Sequence, residues 1–145
     1  MKLDPKNGID KLLFGMKSTD VFAIYGAPDR EFEDDEKNKI FLYNDFKLRL
    51  TFYEDEDFKL GYFICAHQDL TFLNLKIIGA DALNLLSEFE NKGIAKWENE
   101  NFDSITNYFN ESNWLTLQAE FGLVNRVEIG AIFDDNDEMQ FKFKG

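Results

Sequence analysis

KLRLTFYEDEDFKLGYFIC, residues 47–65, is the stretch on which the fold turns. Leu48, Leu50 and Phe52 alternate with Lys47, Arg49, Thr51 and Tyr53, the two-residue period of a strand with one apolar face. The run Glu54-Asp55-Glu56-Asp57 has the composition of a turn, and a return strand follows with Leu60, Tyr62 and Ile64 on its apolar side. The segment reads as a long antiparallel hairpin. A second hairpin lies downstream, where Leu115, Leu117, Ala119 and Phe121 alternate with Trp114, Thr116, Gln118 and Glu120. Gly122 begins its turn, and Val127, Ile129, Ala131 and Phe133 return. Met139, Phe141 and Phe143 alternate with Gln140, Lys142 and Lys144 in a last expected strand, and shorter strands are expected around 39–43, 70–77 and 104–109.

Two helices fit between these strands. Ser18 or Thr19 can cap a helix running to about Tyr25, stopped by Gly26 and Pro28. The second spans about Asp81 to Asn91, with Ala82, Leu85, Leu86 and Phe89 on one helical face and Lys92-Gly93 at its end. The pieces come twice in one order. Gly15, Val21, Tyr25, Leu50 and Leu60 correspond to Gly79, Leu85, Phe89, Leu115 and Val124 at offsets of 64 or 65. The expectation is therefore one α+β domain over 1–145, built from similar halves at about 1–75 and 76–145. Each half would be a short helix followed by antiparallel strands, with the helices on one face of the sheet.

Gly15-Met16-Lys17-Ser18-Thr19-Asp20-Val21, followed by Tyr25-Gly26-Ala27-Pro28-Asp29, resembles the signature of SmpA/BamE-like domains: Gly-Met, four residues, Val, then Gly-x-Pro. The doubled arrangement resembles the beta-lactamase inhibitor protein family, and a cytoplasmic relative would be similar to small bacterial immunity proteins that neutralise toxins. The resemblance implies a non-enzymatic inhibitor-like or immunity-like protein that binds another protein. The second half departs from it, with Gly79-Ala80 in place of Gly-Met and no proline after Gly93.

Charge narrows the partner. Sixteen Lys and Arg against 28 Asp and Glu give −12, shared as −5 over 1–75 and −7 over 76–145, so the acidity belongs to the whole fold rather than to a tail. No two basic residues are adjacent, and the field repels nucleic acid and anionic lipid. The expected partner is a protein with a basic surface. A single cysteine, Cys65, excludes an internal disulfide, and residues 1–8 lack the apolar core of a signal peptide, which together give a cytoplasmic expectation.

Catalytic chemistry finds little footing. Cys65, His67 and Asp69 would share one strand face at about 6–7 Å spacing, long for a nucleophile and its base. Asp134, Asn136 and Glu138 imitate positions 1, 3 and 5 of a calcium loop, but Met139 and Gly145 stand where glycine and a bidentate glutamate are needed. The acidic runs 31–36 and 54–57 read as solvated turns. No catalytic residue, cofactor or metal is expected; a small hydrolase using carboxylates or Cys65 is the alternative. The strand face opposite the leucines is more informative, because it would carry Tyr53, Phe63, Tyr108 and Trp114 beside Arg49 and Arg126, the composition of an interface core. The expectation is a protein-binding face. A self-associating structural domain, pairing this face across a two-fold homodimer, is the other alternative.

Overall fold

The computed structural model describes all residues, Met1–Gly145. The two four-stranded runs each form an antiparallel meander: β4 (Arg30–Glu33), β5 (Lys39–Tyr43), β6 (Leu48–Tyr53) and β7 (Lys59–Cys65), then β10 (Trp97–Phe102), β11 (Ile105–Asn110), β12 (Leu115–Glu120) and β13 (Leu123–Gly130). Pairing of β7 with β13 fuses them into one eight-stranded sheet in the order β10-β11-β12-β13-β7-β6-β5-β4. Three short strands, β1 (Leu3–Asp4), β2 (Gly8–Ile9) and β3 (Leu12–Leu13), form a small sheet, and β8 (Thr71–Phe72) pairs with β9 (Leu75–Lys76). The helices are α1 (Ser18–Tyr25) and α2 (Ala82–Asn91).

The α+β expectation of two similar helix-plus-strand halves is corrected. Thirteen strands accompany only two helices, so the fold is predominantly β. A helix precedes each meander, but the meanders do not repeat one unit. The 3-10 turn Glu54–Glu56 joins β6 to β7, whereas its counterpart Glu111–Asn113 joins β11 to β12. The strands that unbalance the expectation are polar: Arg30–Glu33 and Trp97–Phe102 are the sheet's edges and show no apolar alternation. Edge strands bury neither face fully, so periodicity passes over them.

One sheet face packs into a single cluster of 29 buried residues that also takes in Val21 from α1 and Ala82, Leu85, Leu86 and Phe89 from α2. Phe14, Phe52, Phe63 and Phe89 are fully buried there, and Phe14 meets Phe63 edge-on at 5.1 Å. α2 begins on Asp81, whose carboxylate accepts the Asn84 N–H at 3.1 Å. For α1, Lys17 rather than Ser18 or Thr19 holds the cap position, and Asp20 reaches back to accept the Lys17 N–H at 2.9 Å.

Two strand parities differ from expectation, for separate reasons. Tyr62 pairs with Thr51 while Leu60 pairs with Phe52, which leaves Gly61 as an extra residue in a bulge. An added residue in a period of two reverses every side chain beyond it. Leu60 stays inside, Tyr62 and Ile64 turn to the open face, and Phe63 turns into the core opposite Leu50 and Ile129. In the second meander, Asn110 pairs with Leu115 across a four-residue connection, so Tyr108 lies opposite Leu117 on the core side and is buried.

The expected strand over 139–143 does not form. The Asp134 carboxylate accepts the N–H groups of Asn136 and Glu138 at 2.8 and 3.0 Å, turning the chain so that Met139 bridges back to Phe133. The segment beyond crosses to Phe14, whose carbonyl accepts the Phe143 N–H at 2.9 Å. No helix is long and apolar enough to cross a membrane.

Candidate functional site: an aromatic cleft with an acidic mouth

The C-terminal turn arches over one end of the open sheet face and leaves a cleft of about 370 Å³. Its lining includes Tyr53, Tyr62, Trp114, Phe133 and Met139, with Glu36, Asn38, Glu54 and Asp55 also contributing. Two glycines allow the aromatic rings to lie down. A Cβ on Gly61 would stand 2.4 Å from the Tyr53 ring, and one on Gly130 would stand 2.4 Å from the Trp114 ring. Both rings therefore rest against bare backbone, Tyr53 over β7 and Trp114 over β13, with Tyr62 paired opposite Gly130 between them. Phe109 braces the Trp114 ring edge-on at 5.2 Å.

The acidic side comes from turns that are far apart in sequence and joined through one buried amide. The Asp34 carboxylate accepts the N–H groups of Glu36 and Asn38 at 3.0 and 2.9 Å, and the Asn38 side-chain amide at 3.2 Å. The Asn38 side-chain oxygen Oδ1 in turn accepts the Glu54 N–H at 3.0 Å, tying the 34–38 turn to the 3-10 turn Glu54–Glu56. Desolvation acts upward on Asp34, but these N–H groups outweigh it and hold its carboxyl below the usual range. Burial pushes the Tyr53 phenol up, and Asp55, Glu36 and Asp34 push it the same way, so the ring lies in a negative field. Burial also raises Tyr62, whose hydroxyl donates to Glu128 at 2.7 Å. Arg126 pairs with the other oxygen of Glu128 at 3.0 Å.

The six residues expected on one docking face separate. Arg49, Tyr53 and Arg126 lie on the open face, and Trp114 lies at its margin with 39% of its surface exposed. Phe63 and Tyr108 are corrected to the core for the register reasons given above. Tyr53 and Trp114 meet at the cleft; the Arg49 guanidinium lies 5.8 Å from the Phe32 ring, and Arg126 is engaged by Glu128. The alternation assigns Tyr62, Phe133 and Met139 to apolar strand faces rather than to a cleft, and it gives no sign of Asn38. The one signal for them was Gly61, a glycine inside a strand, which marks a bulge or a close approach.

Cys65, His67 and Asp69 do not assemble into a nucleophile and base. Strand β7 ends at Cys65, whose thiol is buried and pushed up by that burial. His67 Nδ1 is occupied as the acceptor of the Asp69 N–H at 3.0 Å. No group of three or more His, Cys, Asp or Glu side chains is gathered closely enough to hold a metal ion.

No protein-family model matches the chain, and no curated protein matches it in sequence. Among solved structures, it is similar to an extracellular protein containing a SCP domain from Bacillus anthracis str. Ames, at 13% identity and a TM-score of 0.50, over 90% of this chain and 49% of that one. A cysteine-rich secretory protein from Staphylococcus aureus subsp. aureus Mu50 matches at 15% identity and a TM-score of 0.46, over 79% of this chain and 43% of that one. The chain thus spans about half the length of each. The Bacillus likeness concerns the fold, and it corrects the resemblance to SmpA/BamE-like, beta-lactamase inhibitor and immunity proteins, which rested on Gly15–Asp29 and the apparent repeat. The cytoplasmic expectation is corrected with it, since the matched protein is described as extracellular. A lone buried thiol forms no disulfide in either compartment, so the cysteine count had little power to decide.

Proposed function

We propose that this is a non-enzymatic binding domain that docks a protein partner with a basic surface on the open face of its sheet. The observation that carries the reading is the cleft: two rings laid on glycines, bordered by two acidic turns that Asn38 holds in fixed relation. Aromatic side chains anchor interfaces because they offer large rigid area at small entropic cost. Carboxylates at the rim steer a basic partner and raise its association rate. The overall charge of −12 acts in the same direction.

A peptide array centred on lysine or arginine, compared with one centred on aspartate or glutamate, tests the reading. Basic peptides should be retained and acidic ones not, with retention falling as salt rises. Trp114→Ala should abolish retention while the domain stays folded, because the ring is partly exposed and outside the main core. Equal retention of both arrays, or retention indifferent to Trp114, sinks the proposal. Sedimentation at micromolar concentration decides the alternative occupant: a dimer that Trp114→Ala dissociates would mean that the face pairs with its own copy.

A further inference from the structure

We infer that the partner's docking element is an extended polybasic segment of about seven residues, lying across the open face from the cleft to edge strand β10. This rests on the binding function proposed above and names the form its partner takes. Three adjoining hollows mark the path. The cleft, of about 370 Å³, shares Trp114 and Phe133 with a second hollow of about 590 Å³. The second shares Glu98 with a third, of about 370 Å³, which lies over β10 to β13. Strands β6, β7, β13, β12, β11 and β10 lie side by side, with Tyr53 on the first and Glu98 on the last. At ~4.8 Å between neighbours the path is about 24 Å long, the reach of about seven extended residues.

Carboxylates stand in every hollow: Glu36, Glu54 and Asp55 in the first, Glu111 and Glu98 in the second, Glu98 and Glu100 in the third. None of the six joins an ion pair, and Lys96 is the one base along the path. Glu128, also in the third hollow, is already engaged by Tyr62 and Arg126. Lysine and arginine carry several N–H donors each, and these carboxylates are the acceptors they need. The apolar stems of such side chains suit the half-exposed Trp114 ring between the two ends. One basic anchor in the cleft would leave the β10 carboxylates unused, because charges more than ~8 Å apart in water are largely screened from each other. A second copy of this chain would set carboxylate against carboxylate. The occupant that matches the whole path is a segment with basic residues toward both of its ends.

Fluorescence anisotropy with the full chain tests this, using labelled Gly-Ser peptides of about nine residues that carry an arginine pair at one end, at the other, or at both. The two-ended peptide should bind about tenfold or more tighter than either single-ended one, because its second pair engages as an intramolecular contact. Glu98→Gln combined with Glu100→Gln should lower the two-ended peptide to the single-ended level. The same variant should leave the single-ended peptides, which use the cleft, within about twofold. Glu88→Gln combined with Glu90→Gln removes equal charge from the exposed side of α2 and should change nothing. Circular dichroism confirms that both variants are folded. A two-ended peptide that binds no tighter than the single-ended ones overturns the extended path and leaves a single basic anchor, so the binding function stands. Equal weakening by the α2 pair and the β10 pair also overturns it, since a diffuse field would then explain the affinity. Binding of none of the three peptides removes the binding function itself, and the path with it.

Discussion

Strand β12 is closed at both ends by an aromatic residue in left-handed backbone, Trp114 at φ 47° before it and Phe121 at φ 51° after it. Bulky residues seldom occupy this region, and the conformation costs roughly 1–2 kcal/mol per residue. The two sites treat that cost differently. Trp114 lays its ring on Gly130, leans on Phe109, and accepts the Gly130 N–H at 3.1 Å through its carbonyl. Contact offsets its strain. Phe121 is 80% exposed in a two-residue turn with Gly122, where asparagine is the favoured first residue. Its backbone N–H reaches Ser104 at 2.9 Å, but its ring lies mostly in water. A strained backbone indicates a built site only where packing around it explains the strain, and here that singles out the cleft end of β12.

The most direct way to break this comparison is to deny Trp114 its seat. In Gly130→Ala the new Cβ would stand 2.4 Å from the Trp114 ring and 3.2 Å from Tyr62, so the indole must move. A cost of about 1–3 kcal/mol is expected, as for overpacking, together with a red-shifted tryptophan emission. A fully stable variant with unchanged emission would mean that the ring does not rest on Gly130. Trp114→Ala removes the contact but keeps the left-handed backbone, and it should cost about 1 kcal/mol, lowering the midpoint by roughly 2–4 °C for a domain of this size. A loss several times larger would make Trp114 a core residue and weaken its assignment to an accessible cleft.

The same contrast shows what the sequence could reveal. Alternation along Leu48–Phe52 and Leu115–Ala119 identifies central strands because one face is buried, and the 3.6-residue spacing of Ala82, Leu85, Leu86 and Phe89 identifies α2 for the same reason. Two small features decide which aromatics face out, and neither alters composition. One is the single extra residue at Gly61; the other is the four-residue connection after Asn110. The first sends Phe63 inward, and the second fixes Tyr108 on the core side with Leu117. Edge strands such as Trp97–Phe102 escape notice because nothing covers them on both sides. The cleft is harder still to read, since it requires residues 34–38, 53–55, 61–62, 114 and 130–139 to converge, and only the completed sheet brings them together. The acidic runs looked like separate solvated turns, and their joining through Asn38 is a tertiary fact.

Phe121 supplies the finest test of the comparison. Phe121→Asn places in the hairpin turn the residue that best tolerates left-handed backbone, and it removes an exposed ring with little packing to lose. The domain should gain about 0.5 kcal/mol, read as a higher denaturant midpoint at unchanged slope. Phe102, Leu123 and Leu83 are also exposed, and Phe102 and Leu123 each pair with a residue beside the same turns. If Phe121 were seated among such neighbours in solution, the substitution would instead destabilise by the value of a buried ring. The sign of a small change thus separates a strained residue compensated by packing from one that is not. A destabilised Phe121→Asn would put both ends of β12 in one class and remove the contrast that singles out Trp114.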